Sequence, residues 1–150
     1  MNHEDSLRDP LTHAVIGAFY DVYNTLAFGL PESLYARALE IELRRRGHEV
    51  AREVCFTVRY RGIEIGTLRL DMVVDGCVVV ETKSTIELHR GAPRQVLGYL
   101  RASGIPVGLV LHFGPEPSVR RITLDGWRAR VRDEASTSGD PGAIDEIPGS

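Results

Sequence analysis

The segment Cys77-Val78-Val79-Val80-Glu81-Thr82-Lys83 constrains this chain more than any other. Three successive valines cannot alternate between a core face and a wet face. The strand they form is therefore expected at the centre of a sheet covered on both sides. Asp75-Gly76 precedes it, a dipeptide that tolerates positive φ at both positions and predicts a two-residue hairpin.

The flanking segments supply the covering layers and the neighbouring strands. Asp9-Pro10 reads as N-cap and first residue of a helix, followed at helical spacing by Val15, Ile16, Phe19, Tyr20, Tyr23 and Leu26. Gly29 is a stop, and Pro31 opens a second helix with Leu34, Tyr35, Ala38, Leu39, Ile41 and Leu43 apolar. Arg44-Arg45-Arg46 followed by Gly47 closes it, because cations favour the last turn and glycine the left-handed cap. The period then changes to two. Val50 to Tyr60 forms one strand, Arg61-Gly62 turns, and Ile63 to Val74 forms the next, with Gly66 a candidate break. Residues 91–102 read as a helix stopped by Gly104. Val107 to Phe113 reads as a fourth strand and Val119 to Leu124 as a fifth at an edge. The order α-α-β-β-β-α-β-β predicts a mixed α+β fold around a central sheet.

With 150 residues, 43% of them hydrophobic and 26% charged, the chain suits one domain with a sizeable core. The expected organisation is a short leader over 1–10, a single domain over 11–132 and a disordered acidic tail over 133–150. The tail carries five acids and no base, and residues 1–132 carry 18 bases and 16 acids. That near-neutral body lacks the general basic excess of a protein that coats nucleic acid, though it leaves room for a local basic groove. No apolar run approaches the ~20 residues that span a bilayer. The polar leader has no apolar h-region, and Cys55 and Cys77 lack metal-ligand spacing, so a reduced, cytoplasmic setting is expected.

Of the 18 basic residues, only Lys83 is lysine. It shares a strand face with Glu81, two residues earlier. A two-residue turn at 75 and 76 sets Asp71 opposite residue 80, one position from Glu81, so a bulge or another register is needed to pair the acids. Even so, both carboxylates come within reach of one ion. Hard oxygen ligands of this kind suit Mg²⁺, and a neighbouring ammonium can steady charge developing on a phosphoryl group. The simpler reading is a surface ion pair on a ribbon. Against it stand the apolar surroundings, where unpaired charge is costly, and the choice of a compact ammonium in a chain that otherwise uses arginine.

Glu32 is either a first-turn acid favoured by the helix dipole or a carboxylate aimed at the same place. Tyr35, one turn on, is either a core aromatic with its hydroxyl at the rim or part of the site. Gln95 and Tyr99 lie four apart on the third helix and can face the strand acids. Arg44, Arg45, Arg46 and Arg52 are dense enough to meet phosphates, or else form a solvated cationic face. The five histidines show no paired metal spacing, and no phosphate-binding glycine loop or nucleophile elbow occurs.

Gly29-Leu30-Pro31-Glu32-Ser33-Leu34-Tyr35, Arg69-Leu70-Asp71, Glu81-Thr82-Lys83, Gln95 to Leu100 and Gly108 to Gly114 occur in that order. Together they resemble the GxxExxY family of the PD-(D/E)xK nuclease superfamily, over roughly residues 11 to 124. The resemblance implies a restriction-endonuclease-like core. It implies Asp71 and Glu81 as metal-binding acids, with the backbone carbonyl of Thr82 as a further ligand. Lys83 would be the catalytic lysine, Glu32 the helix carboxylate, and Gln95 with Tyr99 would complete the site. It also implies Mg²⁺, with Mn²⁺ able to substitute, and DNA or RNA as substrate. The sequence departs from the family at Thr82, where a large aliphatic is usual, and its side chain is expected to face away from the site. It departs again at Ala92 and His112, where the family pattern has His and Asn.

Two functions follow from different classes. One is a metal-dependent nuclease. The other is a catalytically silent nuclease-fold module for binding or regulation, since a fold alone does not establish activity. A plain partner-binding domain with an acidic tail would require the whole motif series to be accidental. A homodimer or an unidentified protein partner fits either of the first two, and a membrane fits neither.

Overall fold

A computed structural model describes residues 3–125. The expected acidic tail lies outside the described residues. The elements are α1 (His3–Leu26), α2 (Glu32–Arg45), β1 (Val50–Tyr60), β2 (Ile63–Val74), β3 (Val78–Lys83), α3 (Gly91–Ser103), β4 (Val107–Phe113) and β5 (Pro117–Thr123). The fold is α+β, as the sequence predicts. α1 differs at its start: it begins well before Asp9 and carries Pro10 inside it. Proline's φ is helical, but its ring removes one backbone donor and crowds the carbonyl four residues earlier, so this first part of the helix is its weakest. No helix among the described residues is long and apolar enough to cross a membrane.

The five strands form one sheet in the order β1-β2-β3-β4-β5. Neighbours are antiparallel except β3 and β4, which are parallel and joined through α3. The valine strand is indeed central, and Val78, Val79 and Val80 are all buried. Val78 and Val80 join Phe19, Tyr35, Leu39 and Phe113 in the core under α1 and α2. Val79 joins Val96, Tyr99, Leu100 and Val110 under α3. α3 can approach because Gly108 has no side chain: a Cβ there would stand 2.4 Å from Val96 Cγ1.

The β1–β2 ribbon does not keep to one layer. Val50, Met72 and Val74 pack under α1 and α2, while Val54, Phe56, Leu68 and Leu70 pack on the α3 side. Strict alternation would keep residues 70, 72 and 74 on one face. The switch therefore falls at Asp71. Opposite it, Glu53 takes a left-handed φ of 55° and drops out of the ladder, which runs Arg52↔Met72 then Val54↔Leu70.

Candidate active site

The β2–β3 turn corrects the predicted register. Val74 pairs with Val78, so the connection has three residues, Asp75, Gly76 and Cys77, rather than two. Cys77 N–H donates to the Val74 carbonyl at 3.0 Å. Asp75 and Gly76 both take the positive φ expected of them, at 50° and 66°. The longer turn is set by contacts outside the hairpin. The Asp75 carboxylate accepts from Glu49 N–H at 2.7 Å and meets His48 Nδ1 at 2.7 Å. The pairing Met72↔Val80, carried one residue on, sets Asp71 across from Glu81. Both acids line one cleft, with no register shift in β3.

Asp71 is held at three points. Arg52 donates to its carbonyl at 3.1 Å and to its Oδ1 at 3.2 Å. Thr82 Oγ1 donates to its Oδ2 at 2.9 Å. This overturns the expectation that the Thr82 side chain faces away. The switch of layers at Asp71 turns its carboxylate toward the neighbouring Thr82 side chain, where a hydroxyl gives it a donor and an aliphatic would give none. Arg52 is itself steered by buried Glu40, whose Oε1 lies 3.3 Å away. Burial pushes the Glu40 carboxyl up, but hydrogen bonds from Arg37 and Arg44 and the charge of Arg52 outweigh it and hold its pKa below the usual range.

Glu81 is almost fully buried and carries Lys83 Nζ at 3.1 Å. Burial raises its pKa. The lysine opposes the rise, while Asp71 and Glu32 add to it. Glu32 behaves alike: partial burial of its carboxyl raises it and Asp71 adds, against Lys83. The residue is exposed as a whole, at the first turn of α2, and lines the cleft. Glu32, Asp71, Glu81 and Thr82 line one cleft of about 290 Å³, with Arg52, Glu53 and Arg69 at its wall. Arg69 donates to Glu53 at 2.6 Å beside it.

Tyr35 is fully buried, and its ring stacks on Phe113 at 4.2 Å. Its hydroxyl donates to the Ala27 carbonyl and accepts from Leu30 N–H at 3.2 Å. The tyrosine therefore closes the turn that leads into Glu32, and its place is the core rather than the cleft. Ser84, just after Lys83, donates to the Leu30 carbonyl at 2.7 Å and ties that turn to the end of β3. His112, beside Lys83 in the sheet, donates from Nε2 to the Thr85 carbonyl at 2.8 Å and fixes the segment that follows.

Gln95 donates to Tyr99 at 2.6 Å on the α3 side. Burial raises the Tyr99 hydroxyl's pKa, and Glu81 adds to it, so this pair adjoins Glu81 from the opposite layer. Arg44, Arg45 and Arg46 stand apart from the cleft, about 20 Å along α2 from Glu32. Arg44 bonds Glu40 at 3.1 Å and the Val50 carbonyl at 2.6 Å, Arg45 lies 3.6 Å from Glu42, and Arg46 pairs with Asp21 and Glu42. Arg52 sits at the cleft as the partner of Asp71. Sequence reasoning named it only as a phosphate contact, although the hairpin register, 52 opposite 72, carries the signal. Glu40 and Thr82 Oγ1 were missed in these roles, and their signal lies only in the tertiary fold.

No group of three or more His, Cys, Asp or Glu residues among the described residues already stands as a metal cage. The donor chemistry nonetheless fits a divalent cation. Glu32, Asp71 and Glu81 share one cleft; burial, with Asp71 adding to it, raises the pKa values of Glu32 and Glu81, and a cation is what relieves such crowding.

A model of the PD-(D/E)XK nuclease superfamily matches residues 9–122. No curated protein matches the chain. A crystal structure of the protein SSO0001 is similar with a TM-score of 0.48 and 18% identity, over 75% of this chain. The chain spans 61% of the length of SSO0001. The superfamily match runs from within α1 to within β5 and takes in Glu32, Asp71, Glu81 and Lys83. The chain belongs to the PD-(D/E)XK nuclease superfamily.

Proposed function

We propose that this chain is a metal-dependent phosphodiesterase that hydrolyses nucleic acid, from the GxxExxY branch of its superfamily. One observation supports the reading: Glu32, Asp71 and Glu81 line one cleft, and the chain's one lysine is bonded to Glu81.

Asp71, Glu81 and the Thr82 carbonyl would hold Mg²⁺, or Mn²⁺ in its place. The ion supplies Lewis-acid polarisation of the phosphate and a more acidic water. Lys83 lies 3.1 Å from Glu81, and its part is electrostatic: it orients the attacking water and steadies charge on the phosphoryl oxygens. Glu32 accepts hydrogen bonds from water in the cleft. Thr82 Oγ1 and Arg52 keep the Asp71 carboxylate from rotating. Tyr99, joined to Gln95, walls Glu81 from the α3 side.

The alternative is a silent binding module. It draws on the engagement of both Asp71 oxygens by Arg52 and Thr82. The test is cleavage of single- and double-stranded DNA and RNA with Mn²⁺ or EDTA, by wild type and Lys83→Ala. Metal-dependent cleavage lost in the variant supports the enzyme. Equal activity in both preparations, or none in either, contradicts it.

A further inference from the structure

Beyond Val54 and Leu70 the β1–β2 ribbon leaves the sheet. Its residues pair with each other as far as Tyr60↔Ile63, while the ladder from β2 to β3 covers only residues 72 to 74. From Asp71 to Ile63 the strand runs about 26 Å. The arm is thus rooted at the carboxylate cleft and reaches well past it.

The tip is unusual for a surface ribbon. Ile63 is 69% exposed, Ile65 65% and Tyr60 42%. Tyr60 lies on the same strand face as Val54 and Phe56, which pack under α3, so the apolar strip starts in the core and continues into solvent. Ile65 is the residue left out of the ladder at the register shift, where the ribbon bends. Arginines bracket the strip. Arg61 lies over the Tyr60 ring, 5.5 Å from its centroid, and Arg59 precedes Tyr60. Glu64 stands opposite Arg59, so the three charged tip residues leave a net positive charge.

We propose that this arm grips double-stranded nucleic acid, with Tyr60 and Ile63 as an apolar wedge and Arg59 and Arg61 on the flanking phosphates. A two-stranded ribbon fits a duplex groove. Arginines beside apolar side chains are the chemistry by which proteins unstack a base step and bend the duplex. Exposed apolar area alone would suit a second copy of this chain equally well. The positive tip and the root of the arm at a phosphodiesterase cleft favour the polyanion. The inference rests on the proposed activity and deepens it, naming a duplex as the substrate that the arm holds across the cleft.

The test uses the full chain and a labelled DNA duplex of about 30 base pairs, long enough to span arm and cleft. Binding is read by anisotropy in EDTA, beside the same strand unpaired, for wild type, Tyr60→Ser/Ile63→Ser and Arg59→Ala/Arg61→Ala. Both variants should weaken duplex binding by roughly tenfold, the worth of one buried apolar side chain or a few phosphate contacts. Single-strand binding should weaken less than duplex binding in both variants. A 2-aminopurine in the duplex should brighten with wild type and stay dark with Tyr60→Ser/Ile63→Ser. Equal duplex affinity in all three proteins overturns the inference. So does a wild-type dimer that the Tyr60→Ser/Ile63→Ser change converts to monomer, which assigns the tip to a second copy. Arm-dependent duplex binding without any cleavage defeats the proposed activity alone. Duplex cleavage indifferent to the arm changes defeats this inference alone.

Discussion

Replacing Tyr35 by phenylalanine removes one oxygen from a fully buried ring and nothing else. The stack on Phe113 survives, because both rings keep their places. What is lost is the donor to the Ala27 carbonyl and the acceptor for Leu30 N–H. Each net hydrogen bond is worth about 0.5–1.5 kcal/mol, and more when its partner stays buried without water, so the pair amounts to about 2 kcal/mol. For a chain of this length that loss lowers Tm by about 6 °C. Urea melts followed by circular dichroism would show a lower midpoint with an unchanged slope, because the folded surface is the same. The turn also carries Glu32 and accepts Ser84, so its loosening should reach the cleft as weaker metal-dependent activity at a temperature where the variant is fully folded. A Tm within about 1 °C of wild type would refute the claim that the hydroxyl holds this turn.

Gly108→Ala puts a methyl 2.4 Å from Val96 Cγ1 and 3.4 Å from Leu100 Cδ2. Val96 is fully buried and stiff at χ1, so α3 must shift, and denaturation should show a loss of about 1–3 kcal/mol; an unchanged midpoint would mean that α3 has slack. Burial pushes Asp75 up, but the hydrogen bonds from His48 and Glu49 N–H hold its pKa below the usual value. Its folded pKa is the lower one, so its stabilisation is complete above the unfolded pKa of about 3.9 and disappears as pH falls through the folded value. Wild type should therefore out-melt Asp75→Asn at pH 7 and lose that margin as pH falls below the unfolded value, whereas a margin constant with pH would contradict this account of the turn.

Much of the architecture is legible because the sequence changes period where the elements change. β1, β2 and β4 run between the bounds read from the sequence, and Gly47 and Gly104 follow their helices with positive φ. The site was less legible. Asp75-Gly76 carries the local chemistry of a two-residue turn, yet the Asp75 side chain is spent on His48 and Glu49 across the fold, and Cys77 joins the loop. One extra loop residue is the difference between Asp71 facing Val80 and facing Glu81. The role of Thr82 was misread for a related reason: alternation places its side chain under α2, but the layer switch at Asp71 brings a carboxylate there too. The left-handed Glu53 that accompanies this switch has no signature in the sequence, since glutamate seldom adopts that φ.

The claim on which the rest depends is that Asp71 and Glu81 converge to hold a divalent ion. Calorimetric titration of Mn²⁺ into wild type, Asp71→Asn and Glu81→Gln reads this without any substrate. Saturable binding by wild type, weakened by roughly tenfold or more in each variant, is the predicted result. Equal affinity in all three proteins would contradict it.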